Sequence, residues 1–91
     1  MLPDKIKFLG HEIQITMVES NDLEGDNGQL WLKKHLIIID KNLPKTRQES
    51  VLLHEIIECV NACFELELEH RAIETLEEVL YQVLKENDLK F

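Results

Sequence analysis

The chain is short of positive charge: 10 lysines and arginines stand against 18 aspartates and glutamates, a formal net charge of −8. Nucleic-acid binders carry the reverse balance, because neutralising phosphates supplies most of their affinity. Direct nucleic-acid binding is therefore not expected. Long apolar runs are also missing. Nothing approaches the roughly 18 consecutive apolar residues of a membrane span. Met1-Leu2-Pro3-Asp4-Lys5 has no basic patch leading into an apolar segment, so neither a membrane partner nor a secretory leader is expected. Cytoplasmic residence is the expectation that follows. Cysteine is scarce as well. Cys59 and Cys63 stand four apart within a helical pattern. A bridge between them would strain the helix and close a loop too short to stabilise much. Two thiols without a second Cys-x-x-Cys set do not make a zinc knuckle. Small buried hydrophobes, kept reduced, are the expectation.

What is present is an ordinary globular balance, 44% hydrophobic and 31% charged over 91 residues. That length suits a single domain over residues 1–91 and leaves no room for a second core. The pattern changes near Pro44. Before it, Ile6 and Phe8 alternate with lysines and Gly10-His11 marks a turn; Ile13, Ile15 and Met17 then alternate with polar residues. That period of two reads as half-buried strand. Residues 20–28 form a polar stretch rich in turn formers. Two further strands are expected over Gln29–Leu32 and Leu36–Asp40, with Lys33-Lys34 as a bend between them. After Pro44 the period is helical. Thr46 and Glu49 have the spacing of a capping box, and apolar residues recur at Leu52, Leu53, Ile56, Ile57, Val60, Cys63 and Phe64. A second stripe runs through Ala72, Ile73, Leu76, Val79, Leu80, Val83 and Leu84. The expected fold is α+β: a small, largely antiparallel sheet over residues 4–40, then two packed antiparallel helices over about 46–64 and 68–86, with Ile57 and Ile73 in the core.

The segment that carries chemistry is Leu53-His54-Glu55-Ile56-Ile57-Glu58. Zinc peptidases use H-E-x-x-H on a helix, where ligands at i and i+4 point the same way because four residues make about one turn. The glutamate after the first histidine lies about 100° round the helix, where it can hold the attacking water and take its proton. Here Glu58 stands in the place of the second histidine, and glutamate is itself a competent zinc ligand. A third ligand is expected from the next helix, from His70 or Glu74, an i, i+4 pair with Glu77 on the same face. His54, Glu58 and Asn61 edge the first stripe as His70, Glu74 and Glu77 edge the second. Packed stripes would bring the two polar edges together. The bland alternative is a solvated helix face. His11 reads as a turn residue and His35 as a strand-surface residue. Tyr81, about three turns beyond His70, lies far along the helix for an electrophilic helper.

Leu52–Glu58, followed by Leu76–Asn87, resembles small phage-associated zincin-like proteins, similar to SprT-like and ImmA/IrrE-like metallopeptidases. The resemblance runs from Pro44 to Asn87, about half the chain, and the upstream strands ending in Ile37-Ile38-Ile39-Asp40 sit where such proteins carry their sheet. It implies a zincin-like core in which His54 and Glu55 are the first histidine and the catalytic glutamate, and it places the second-helix acidic ligand on Glu74. Glu58 is the departure from the pattern. The expected function is a metallopeptidase-like protein of phage or prophage origin, acting on protein or peptide in the cytoplasm of a bacterial host. His54, Glu58 and His70 or Glu74 would hold zinc, or manganese as a more oxygen-preferring ion. The rival is a non-catalytic binding module that engages a host protein through its acidic helical face. At 10.7 kDa little wall remains for a substrate groove, which favours that rival or a homodimer that completes the site.

Overall fold

The computed structural model describes residues 2–91 as four strands followed by two helices. Strand β1 (Lys5–Phe8) turns into β2 (His11–Val18) through Leu9 and Gly10, at φ 49° and 82°. Positive φ at both central residues is what a tight two-residue hairpin requires. A 3-10 turn at Ser20–Leu23 leads to β3 (Gly28–Trp31), and a second at Leu32–Lys34 leads to β4 (Leu36–Asp40). The sheet order is β1-β2-β4-β3. Both outer pairings are antiparallel, while β2 and β4 pair in parallel, Ile15 opposite Ile37 and Met17 opposite Ile39. The sheet is therefore mixed but largely antiparallel, two of its three pairings being so: β3 goes to the edge first, and β4 inserts between it and β2. Leu23, within the stretch that reads as a polar loop, is fully buried.

One face of the sheet is the core. Ile13 and Ile15 of β2 and Ile37 and Ile39 of β4 point the same way because strand side chains alternate, and they pack with Val51, Leu52 and Cys59 of α1 (Lys45–Phe64). Helix α2 (His70–Glu86) lies against α1 rather than across the sheet. Both helices fall within two residues of expectation, and Ile57 and Ile73 are buried. The protein is α+β, a four-stranded mixed sheet followed by two packed helices.

Three local expectations change. Thr46 lies inside α1 with no side-chain cap bond at its start. The carboxylate of Glu49 is taken instead by Tyr81 and Lys85 of α2, so no capping box forms. Gln48 secures the helix entry by donating its amide to the carbonyls of Lys41 and Leu43. Both cysteines are free, but only Cys59 is buried; Cys63 is exposed near the helix end. On α2 the apolar stripe is mostly bare: Ile73 is buried, whereas Leu76, Val79, Leu80, Val83 and Leu84 are exposed. No further layer covers the outer side of this helix. Among the described residues, no helix is long and apolar enough to cross a membrane.

Candidate functional site

Helix α1 has one side in the sheet and another against α2, and the residues between those sides line a cleft. Val51, Glu55 and Cys59 succeed one another every four residues towards the sheet and are buried. His54 and Glu58, one turn apart, stand on the adjoining flank. His70 enters from the first turn of α2, its ring centroid 5.8 Å from that of His54 and nearly perpendicular to it. One donor atom each from His54, Glu58 and His70 lies within 4.8 Å of the others. Tetrahedral zinc with bonds near 2.0–2.1 Å holds its ligand atoms on the order of 3.3 Å apart. Rotation of the half-buried Glu58 and the exposed His70 side chains would close that difference. Two imidazoles and one carboxylate are also a donor set that catalytic zinc uses, leaving the fourth position for water or substrate.

His54 is oriented for this role. Its Nδ1 lies 2.8 Å from Oε1 of Glu77, which is 6% exposed. A carboxylate can only accept, so Nδ1 carries the hydrogen, which in the neutral ring leaves the lone pair on Nε2. Nε2 is the atom that faces Glu58, 3.6 Å from its Oε2. Arg47 reaches the other oxygen of Glu77 at 3.8 Å. A buried carboxylate behind a ligating histidine fixes the ring and raises its basicity.

Glu55 is the other unusual group. It is 6% exposed and its carboxyl has no hydrogen-bond or ion-pair partner among the described residues. Among the described residues, no fully enclosed side-chain polar atom lacks a partner, so the Glu55 oxygens open onto the cleft. Burial pushes its carboxyl up to about 7; His54 pulls the other way, and Glu58, Asp26 and Glu77 add to the rise. A carboxylate poised near neutrality can both take and return a proton at physiological pH.

The cleft has two lobes that share Asp26, Gly28, His54, Glu55 and His70. One, about 230 Å³, is bounded by Arg47, Glu74, Glu77 and Glu78. The other, about 550 Å³, runs past Leu30, Trp31 and Leu32 of the β3 edge and Glu58 of α1. Comparison with protein-family models, with curated proteins and with solved structures returns no match. The chemistry of the cleft has to be read from its own residues.

The sequence-derived set His54, Glu55, Glu58 and His70 meets at one place. Glu74 lines the cleft but pairs with His70 and lies outside the group of three. Glu77, three residues on, is the one that reaches His54. Three residues swing a helical side chain about 60°, and periodicity does not say which of two such neighbours faces a residue on another helix. Arg47, seven residues and about two turns before His54, could have been picked out by that spacing. Asp26 and Gly28 carry no comparable signal. Tyr81 is not in the cleft: its hydroxyl donates to Glu49 at 2.5 Å on the other side of the helix pair. His11 and His35 face each other at 5.1 Å, and neither lines the cleft. Burial pushes the Cys59 thiol up to about 11, which makes it a poor nucleophile.

Proposed function

We propose that this protein is a metallopeptidase-like, zincin-like protein that holds a divalent metal through His54, Glu58 and His70. The observation that carries the reading is the convergence of two imidazoles and a carboxylate from two helices beside a buried, unpaired glutamate. A bound zinc or manganese ion would supply Lewis acidity to a peptide carbonyl. Glu55 acts as the general base, its carboxylate accepting the proton of the attacking water and returning it to the leaving amine. Glu77 keeps His54 in the tautomer that leaves Nε2 free. The resemblance to phage-associated metallopeptidases and action in the cytoplasm of a bacterial host belong to the same proposal.

A second reading, a non-catalytic binding module, is favoured by one observation: the bare stripe Leu76, Val79, Leu80 and Val83 on α2. An exposed apolar stripe rimmed by polar residues is a common mark of a protein–protein surface, and a second copy of the chain is one partner it would fit.

Calorimetric titration of the chelator-treated protein with zinc and with manganese separates the two. The metal reading expects one site per chain that is lost in His54→Ala and weakened about 10- to 100-fold in Glu77→Gln, the usual cost of removing such a supporting carboxylate. No heat with either ion, or equal binding by His54→Ala, would leave the binding module as the function.

A further inference from the structure

We infer that the cleft takes an extended peptide carrying a basic side chain into the lobe of Asp26, Glu74 and Glu78 and an apolar side chain onto Trp31, with the metal group between them. The inference rests on the reading of this cleft as a peptide site and adds its specificity. The two lobes together are lined by six carboxylates, Asp26, Glu55, Glu58, Glu74, Glu77 and Glu78, against a single guanidinium, Arg47. A divalent ion cancels two negative charges and still leaves the cleft acidic. Arg47 is directed at Glu77, while Asp26 and Glu78 form no ion pair among the described residues.

Acidic side chains alone are common on a protein of net charge −8. Glu55 adds an independent sign of a ligand, because this residue is 6% exposed and its carboxyl, with no protein partner among the described residues, opens onto the same space. Desolvating such a group without a donor is costly, and an incoming peptide with its water supplies donors.

The opposite lobe differs in kind. Leu30, Trp31, Leu32 and Ala62 line it, Trp31 is 42% exposed, and the Lys34 ammonium stands 5.2 Å from the centre of its ring. That cation repels a basic side chain from the Trp31 end, so the groove is polarised along its length. β3 pairs with β4 on one side only, which leaves its other edge free to align an extended segment by backbone hydrogen bonds. From Gly28 to Trp31 the strand rises about 10 Å, so the basic and apolar residues of an extended peptide stand two or four residues apart, the spacings that put both side chains on one face.

Trp31 is the only tryptophan, and its fluorescence reads occupancy directly. The zinc-loaded protein is titrated with short capped peptides carrying Lys and Leu two or four residues apart, and with the same peptides carrying Glu or Gln in place of Lys. The Lys peptide is expected to bind about tenfold more tightly than the Gln peptide and more tightly still than the Glu peptide, with a preference that shrinks as salt rises. The double variant Asp26→Asn, Glu78→Gln changes two exposed residues, and circular dichroism checks its fold. It is expected to lose most of the preference. Equal affinity for the three peptides, or an undiminished preference in the double variant, overturns the inference. Zinc binding without peptide preference would retire the specificity alone. Peptide preference in a protein that binds no zinc would retire the metal reading and keep the groove.

Discussion

At the scale of single residues, Glu55 makes the molecule's stability depend on pH. Its carboxyl is raised from 4.5 to about 7, chiefly by burial. The native state therefore holds this proton more tightly than the unfolded chain does. Stability attached to Glu55 is full below about pH 4.5, falls as pH rises through the window to about 7, and stays lost above it. A displacement of that size corresponds to a ceiling of about 3 kcal/mol. Glu55→Gln keeps the shape and removes the charge. In metal-free protein the variant is expected to be more stable than the parent at pH 8 and close to it at pH 4.5. Urea denaturation at the two pH values measures the difference between the proteins, in which the titrations of groups that do not interact with Glu55 cancel. A variant less stable at pH 8 would show that the carboxylate is held by a favourable partner rather than tolerated.

At the scale of elements, the decisive contact is between the start of β3 and α1. A Cβ built on Gly28 would meet Val51 Cγ1 at 2.6 Å, the Ile38 carbonyl oxygen at 3.1 Å and Glu55 Oε2 at 3.3 Å. The absence of a side chain there lets the edge strand lie directly on the helix that carries His54 and Glu55. Gly28→Ala forces the strand or Val51 aside, and overpacking of this kind costs about 1–3 kcal/mol. It should also disturb the Glu55 carboxyl and so weaken the Trp31 fluorescence response to peptide. Denaturation midpoints measure the first effect, and a loss below about 0.5 kcal/mol would mean that β3 yields freely and does not shape the cleft.

At the scale of the whole molecule, α2 is held chiefly through its contact with α1, and it brings His70 and Glu77 to the site. Its buried residues are Ile73, 2% exposed, and Glu77. Ile73→Ala is expected to cost about 2–5 kcal/mol, as truncation of a fully buried isoleucine does, and to reduce zinc affinity with it. Leu76→Ala, on the bare outer stripe, is expected to stay within about 1 kcal/mol. Denaturation of both variants, with calorimetry of the first, tests this asymmetry. Similar costs at both positions would show that the outer stripe is covered in solution by a second copy of the chain.

Periodicity along the chain determined the order and type of the elements, because the signals are local. Ile13 and Ile15 alternate on a strand, Ile57 and Ile73 recur on helices, and the change comes at Pro44. The i, i+4 spacing of His54 and Glu58, with Glu55 100° round, placed three site residues on one part of α1 for the same reason. Tertiary structure alone decided the rest. The parallel pairing of β2 with β4 depends on β3 going to the edge first, and the burial of Leu23 on how the segment between β2 and β3 folds back. The choice of Glu77 rather than Glu74 as the partner of His54 turns on how α2 is rolled against α1, a matter of about 60°. The raised carboxyl of Glu55 comes from the closeness of β3 at Gly28, and the bare stripe on α2 from the lack of a third layer. Each of these depends on groups far apart in sequence, whose distances are set only when the sheet and the two helices pack.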